Sequence, residues 1–400
     1  MNTVAFRRHL HAHPELSFRE RETAAFISAQ LAAAGIEHRP IAGTGVLARI
    51  EGRIPCDDRR TVVLRADIDA LPVEERTGLP YASGNPGVMH ACGHDMHAAV
   101  LYGTLLRLAA APDFCGTVFG LFQPGEECNP GGASLVLAEN PFEGCDVRAV
   151  VGEHVEPQLE VGTLGFRAGK YMAASDELRF RVQGTGGHGA LRDQLKDPVA
   201  AAAELATALL DLNEPEHVLS LGRIEAAGAT NVVPDEVYME GTLRTFDEAD
   251  RTAAHSRIAE LAAATDARHG TKTAVDINHG YPPVVNDSRL VGLAAACAAA
   301  LGLHTEMLPL RTTAEDFGFY CQRYPALFYR LGVGAAAGRP HTGTFATNGR
   351  SKRARTSCEA WPCKFSTNHE TDKKTTSCQT DEKQRPGFDD SEPAARIPQQ

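Results

Sequence analysis

The stretch Gly87-Val-Met-His-Ala-Cys-Gly-His-Asp-Met-His97 places Cys92, His94, Asp95 and His97 within six residues, at the start of an apolar run. Thiolate, imidazole and carboxylate are the side chains that bind transition metals. His90, Cys92 and His94 alternate and so share one face of an extended chain. From Asp95 onward the sequence takes a helical period. Ligands on a turn from extended chain into a helix suit a rigid metal site. Read alone, the stretch would equally suit a buried free thiol beside surface histidines, so the flanking chain must arbitrate.

Upstream, Ser17-Phe-Arg-Glu20 reads as a capping box for a helix over 23–31 that closes at Gly35. The β-branched runs 46–50 and 61–65 read as core strands. The second ends in Arg65-Ala-Asp67-Ile-Asp69, two carboxylates at i, i+2 on the carboxyl end of a strand, where sites gather in open α/β sheets. Downstream come a helix over 95–109 and a strand over 116–122 that runs into Gln123-Pro-Gly-Glu126-Glu127. A helix over 131–137 and a strand over 148–155 carrying Glu153-His154 follow. This alternation predicts an α/β sandwich with a largely parallel sheet over roughly the first 165 residues.

The middle of the chain has another rhythm. A strand over 178–182 leads into Gly184-Thr-Gly-Gly-His188-Gly, and Asp197-Pro198 supplies an N-cap and a first-turn proline for an alanine-rich helix to about Leu212. Strands over 218–225 and 237–246, a helix over 247–264 and a strand over 274–277 complete β-α-β-β-α-β, the ferredoxin-like order. The pattern predicts a second domain, 173–282, inserted into a catalytic domain made of 1–172 and 283–345. The returning segment carries a helix over 287–301, the acidic turn Glu315-Asp316, a strand over 327–331 and Pro340-His341.

Residues 346–400 contain no Leu, Val or Met, but ten Lys/Arg and eight Asp/Glu. Such a composition buries too little apolar surface to offset its ordering entropy, so disorder is expected there. Cys358, Cys363 and Cys378 fit no standard metal spacing. The switch in composition is abrupt enough to read as a frameshifted or fused 3′ end.

The net charge of −11 and pI near 5.8 argue against nucleic acid or an anionic membrane as partner. No apolar run approaches the ~18 residues of a membrane span. The N-terminus lacks the apolar core of a signal peptide, and the ten cysteines follow no framework spacing. Reduced thiols in the cytoplasm are therefore expected.

Cys92-x-His94, Glu126-Glu127, Glu153-His154 and His341 each lie just past a strand or in the loop beside one, so they can meet on one edge of the sheet. Two adjacent glutamates at the end of a buried strand are costly unless something positive neutralises them, and a dinuclear metal centre would do so. Taken one at a time the residues have plainer readings. Glu126-Glu127 would open a surface turn, His154 and His341 would be structural, His188 would sit in a solvated turn, and Arg244 would be a surface residue on its strand.

In this order along the chain, the segments resemble the metal-dependent N-acyl amino acid amidohydrolases, the hippurate hydrolase and aminoacylase group akin to zinc carboxypeptidases. The likeness rests on Arg7-Arg-His-Leu-His-Ala-His-Pro-Glu15, Leu64–Pro72, His90–His97, Phe122–Glu127, Gly186–Ala190, Asn231-Val-Val-Pro234, Gly241–Arg244, Ala314-Glu-Asp-Phe317 and His341-Thr. It implies a dinuclear-metal α/β catalytic domain with an inserted ferredoxin-like lid that also makes a homodimer. It implies two divalent ions, zinc or manganese, on Cys92, His94, Glu127, His154 and His341, with Glu126 as the catalytic carboxylate. His188 matches a lid histidine that contacts the scissile carbonyl, and Asn231 and Arg244 match positions that hold the substrate carboxylate. Asp67, Asp69 and Asp95 are placed behind the ligands, orienting them. The implied substrate is an N-acyl amino acid. The alternatives are a dipeptidase or carboxypeptidase on the same machinery, a cysteine-nucleophile hydrolase using Cys92 with His94, and a non-enzymatic binding protein. The chain departs from the family in lacking an apolar helix after His341-Thr, and in Leu191-Arg-Asp-Gln after Gly186–Ala190, where a proline-containing continuation is usual.

Overall fold

The computed structural model describes residues 1–55 and 60–335. His341, the segment 346–400 and its three cysteines lie outside the described residues.

The chain opens with α1 (Thr3–Ala12), α2 (Arg21–Ala33), β1 (Glu37–Ile41), β2 (Gly45–Glu51), β3 (Arg60–Asp67) and α3 (His94–Ala110). It continues with β4 (Thr117–Gln123), α4 (Gly132–Ala138), β5 (Asp146–Glu156), β6 (Thr163–Phe166) and β7 (Gly169–Met172). A second group comprises β8 (Asp176–Gln183), β9 (Gly187–His188), α5 (Pro198–Leu210), β10 (His217–Ala226), β11 (Val232–Val233), β12 (Glu236–Thr245), α6 (Glu248–His269) and β13 (Lys272–His279). The chain then returns through β14 (Val284–Asn286), α7 (Ser288–Ala300), β15 (His304–Met307), α8 (Gly318–Cys321) and β16 (Ala326–Gly332).

The fold is mixed α/β around an eight-stranded sheet in the order β1-β2-β4-β3-β5-β16-β6-β15. Its centre is parallel, because β3 pairs with β4 and β5 and β5 with β16 in that sense, while β1, β2 and the β16–β6 pair run antiparallel. The central strands read as continuous apolar runs because both faces are covered. Phe6, Leu10, Leu101 and Leu105 from α1 and α3 pack on one face, and Val136, Phe317 and Tyr320 on the other.

The four-stranded antiparallel sheet has the order β10-β12-β8-β13 and its own core. Residues of β8 alternate between buried Leu178, Phe180 and Val182 and outward Arg179 and Arg181, as a half-covered sheet requires. Ala201, Leu205 and Leu209 of α5 and Ile258 of α6 cover the apolar face. Helix α5 starts as its sequence predicts, with Asp197 Oδ1 accepting from Val199 N (2.8 Å) and Ala200 N (3.1 Å).

Two expectations are corrected. The capping box at Ser17–Glu20 does not form, because both side chains are taken by distant partners. Ser17 Oγ donates to Asp69 Oδ2 (2.7 Å), and buried Glu20 accepts from Thr44 Oγ1 (2.5 Å) and Gly125 N (2.8 Å). The helix is served instead by Glu15, whose Oε2 accepts from Thr23 N at 2.8 Å. The cysteines are not uniformly reduced: Cys115 is disulfide-bonded, whereas Cys92, Cys128, Cys145, Cys297 and Cys321 form no disulfide.

Candidate metal centre

Parallel strands in register deliver their carboxyl ends to one level. Asp67 of β3 lies opposite Gln123 of β4, and Arg65 opposite Gly152 of β5. The residues just beyond are Asp69, Glu126-Glu127 and His154, and His94 enters from above as the first residue of α3. Gly93, at φ 95°, makes the left-handed turn that lets the chain switch from extended to helical there. The turn carrying the two glutamates is closed by Gly132 N donating to Gly125 O (2.9 Å). No side chain fits at Gly132, where a Cβ would lie 1.6 Å from the Pro124 carbonyl oxygen. Glu127 N donates to Asp69 Oδ2 (2.9 Å), fixing the turn to the end of the neighbouring strand.

Second partners decide which imidazole nitrogen faces inward. His94 Nδ1 is 3.1 Å from Asp69 Oδ1, and His154 Nδ1 donates to the Val155 carbonyl at 2.7 Å. Burial and Arg330 hold His154 well below its ordinary value, so its Nε2 is a lone pair, the form in which histidine ligates a metal. Burial would lower His94 too, but Asp67 and Asp69 outweigh it and hold the ring well above its ordinary value. A cation would therefore displace the proton on its inward Nε2. His94 Nε2 stands 3.8 Å from Glu127 Oε1 and 4.0 Å from Glu126 Oε2, and His154 Nε2 is 3.6 Å from Cys92 Sγ. His97 is different. Its Nδ1 bonds Asp67 Oδ1 (2.6 Å) and its Nε2 accepts from Val155 N (3.0 Å), so it braces β5 and has no nitrogen left to ligate.

Four donor sets have atoms within 4.8 Å of one another: Cys92–His94–His154, His94–Glu126–Glu127, Glu126–Glu315–Asp316 and Asp67–His94–His97, the last with both His97 nitrogens already engaged. His94 Nε2 and Glu127 Oε1 are buried with no hydrogen-bond partner. Burial, together with Glu315 and Glu127, pushes the Glu126 carboxyl well above the usual range. Burial also raises Glu127, to about 7, although His94 pulls the other way. Burial and then Glu127 push the Cys92 thiol up. Asp67 behaves oppositely: burial would raise it, but His94, His97 and Arg65 outweigh burial and hold it well below its ordinary value. A cluster of buried acids, a thiol and two inward imidazole nitrogens is costly by itself and is relieved by cations. The N, O and S donors fit divalent metal ions.

Beneath the centre lies a charged hub that the sequence pattern did not reveal. Arg65, fully buried, bonds Asp67 (2.7 Å), Glu315 (3.0 Å), Asp316 (2.7 Å) and Gln123 (2.9 Å). Asp316 also accepts from Gln123 Nε2 (2.8 Å) and Ala133 N (2.9 Å). One signal was available, an arginine inside an otherwise apolar strand, which has to meet counter-charges if it is buried. Asp95 turns away from the donors and pairs with Arg7 (2.6 Å) and His11 (2.8 Å), clamping α1 to the first turn of α3.

The remaining expected residues lie in the second group of elements. His188 is exposed on β9, where it pairs with Val232 of β11, and Asn231 is exposed beside it. Neither belongs to the donor sets. Arg244 is half-buried on β12, has no hydrogen bond or ion pair among the described residues, and is lowered by burial.

Residues 63–346 match the family model described as peptidase family M20/M25/M40. The chain is 40% identical over 338 residues to the N-acetyl-L-cysteine deacetylase of Bacillus subtilis (strain 168), covering 82% of this chain and 80% of that protein. It is 41% identical over 294 residues to the N-acyl-L-amino acid amidohydrolase of Geobacillus stearothermophilus, covering 71% and 78%. Among solved structures it is similar to the Bacillus subtilis YXEP protein, described as a dinuclear metal binding peptidase from the M20 family. That match has a TM-score of 0.79 and 35% identity over 89% of this chain and 95% of the other.

Proposed function

The chain belongs to peptidase family M20/M25/M40, and from that membership we propose that it is a metal-dependent amidohydrolase of N-acyl amino acids. The products are a carboxylic acid and a free amino acid. Acetyl and benzoyl groups are the acyl classes of this reading; the deacetylase relative supports acetyl, and the amidohydrolase relative supports N-acyl amino acids as a class. The observation that carries it is the pair of orphaned buried atoms, His94 Nε2 and Glu127 Oε1, facing each other at 3.8 Å beside Glu126.

Two divalent ions, zinc or manganese, are assigned to Cys92, His94, Glu127, His154 and His341. When bound they polarise the amide carbonyl and acidify a water molecule. Glu126 takes the proton of the attacking water and returns it to the leaving nitrogen. Desolvation and neighbouring acids raise its proton affinity, which suits a group that must hold a proton between two steps. His188 donates to the developing oxyanion. Arg244 grips the free carboxylate as a planar fork, consistent with its unpaired guanidinium, and Asn231 assists. Asp67 and Asp69 hold the ligand-side geometry through His97 and His94.

Residues 173–282 are read as an inserted lid and dimerisation unit on a catalytic domain of 1–172 and 283–345. Exposed His188 and Asn231 support this, because both need a second surface to act on. A homodimer and residence in the cytoplasm belong to the same proposal. No helix among the described residues is long and apolar enough to cross a membrane. A nucleophilic role for Cys92 is disfavoured because Cys92 and His94, at i, i+2, suit a shared metal better than a thiolate–imidazole pair.

Metal analysis with a panel of N-acetyl and N-benzoyl amino acids and dipeptides tests the proposal on wild type and Glu126→Gln. The variant should keep its metal and lose about 10²- to 10⁴-fold in kcat. Normal turnover by a metal-loaded variant would exclude the proton-carrying role, and a preference for dipeptides would move the assignment to a dipeptidase.

A further inference from the structure

Two short crossings join the sheets: residues 173–175 lead out to β8 and residues 280–283 return from β13. They run side by side, with Ser175 N donating to Tyr281 O at 3.0 Å. A Cβ at Gly280 would lie 2.0 Å from Ser175 O, so the crossings are pressed together. Asp176, at the foot of β8, binds the return strand and α6 at once. It accepts from Gly280 N (3.1 Å), Arg251 Nε (2.9 Å) and His255 Nε2 (2.6 Å). The foot of the four-stranded sheet is thus rigidly tied to the residue that precedes Tyr281.

Tyr281 points back across the boundary. Its hydroxyl donates to the main-chain carbonyl of Glu126 at 2.6 Å. Its ring lies against the far end of the same turn, where a Cβ at Gly131 would sit 2.9 Å from Tyr281 Cε1. Phe319 supports the ring edge-on, with centroids 6.2 Å apart. The turn is held by Asp69, just past β3, at Glu127 N and by Glu20, at the start of α2, at Gly125 N. From the crossing it is held by the Tyr281 hydroxyl.

We propose that Tyr281 is the positioning residue for Glu126, tying the aim of that carboxylate to the seating of the 176–279 unit on its crossings. The inference rests on the reading of Glu126 as proton carrier. A carbonyl anchored within hydrogen-bond reach fixes the φ and ψ from which the Glu126 side chain departs. A displacement of well under an ångström at such a group lowers turnover without loosening substrate binding.

Tyr281→Phe removes the hydroxyl and leaves the ring on Gly131 and Phe319, so the fold and metal content should be retained. The variant should lose about tenfold in kcat, with KM within about twofold of wild type. Hydrogen exchange of the amides of residues 126–132 should accelerate in metal-free and metal-loaded protein alike, with the amides of β8 and β12 unchanged. In the Glu126→Gln background, Tyr281→Phe should add no further loss, because it acts through a carboxylate already removed. Wild-type kcat in Tyr281→Phe, beside an impaired Glu126→Gln, overturns this inference alone. So does a tenfold loss that multiplies onto the residual rate of Glu126→Gln. Wild-type turnover by Glu126→Gln overturns the underlying reading of the site.

Discussion

Arg65→Met tests whether the buried hub holds the catalytic edge together. The guanidinium has no solvent exposure and meets Asp67, Glu315 and Asp316 within 3.0 Å. Methionine fills much of the same volume, so the loss is chiefly that of charge. Breaking one buried pair costs about 3–5 kcal/mol, because the remaining charge is left uncompensated. Here three acids lose their shared cation, but protonation relieves part of the strain, and we expect about 4 kcal/mol at pH 8. For a chain of this size that is a fall of roughly 5 °C in Tm. The pH dependence has a definite sign. Burial already holds Asp316 up at about 8 against the pull of Arg65, and without the guanidinium it rises further. A carboxyl whose folded pKa lies above its unfolded value of about 4 contributes stability that is full below the unfolded value and lost as pH rises through the folded one. The deficit of Arg65→Met must therefore be larger at pH 8 than at pH 5.5. Urea unfolding at both pH values, in chelator so that bound cations do not mask the effect, measures it. A deficit under about 1 kcal/mol, or one that does not change between the two pH values, would show that the hub is not an electrostatic support.

Three further outcomes follow from the same geometry. Removing metal with a chelator should lower stability by about 2.7 kcal/mol relative to protein held at a hundred times the dissociation constant, read as a concentration-dependent Tm; no shift would mean that the buried donors do not bind cations. Asp176→Asn should destabilise by about 3 kcal/mol at pH 7 by orphaning buried Arg251. Burial opposes the lowering of Asp176, but Arg251 and His255 prevail, so its contribution is present above the unfolded value and lost as pH falls through the lower folded one. Acid titration of the variant should consequently show a shallower fall below about pH 4, and an unchanged acid limb would refute this. Arg244→Lys should raise KM for N-acyl amino acids about tenfold with kcat nearly unchanged, since an ammonium cannot form the fork; a selective loss of kcat would instead place Arg244 at the reacting atoms.

Much of the framework could be read from local pattern. The β-branched runs at 61–65 and 116–122 and the motifs just beyond them are local features, and the parallel centre of the sheet follows from their alternation with helices. The order of elements from Asp176 to His279 was legible for the same reason. The flanks were not. The strand over Glu37–Ile41 carries a proline and mostly exposed residues, so it shows no buried alternation, and its antiparallel pairing depends on β2. Helix α1 escaped notice because its histidines and arginines hide an inner face of Phe6 and Leu10, and because Arg7 and His11 of that face are buried only by pairing with Asp95.

Residue types and their spacing along the chain determined that Cys92, His94, Glu126, Glu127 and His154 could gather at one sheet edge, since strand ends and helix starts are written in short-range periodicity. Tertiary structure alone decided what each group has left to offer. Asp69 and the Val155 carbonyl occupy one nitrogen of His94 and His154 and leave Nε2 inward, while Asp67 and the Val155 amide use up both nitrogens of His97. Ser17 and Glu20 carry a capping-box spacing but are claimed by Asp69, Thr44 and Gly125. The physical reason is that a polar side chain makes few hydrogen bonds, and in a buried site long-range partners decide which of its atoms remain free for chemistry.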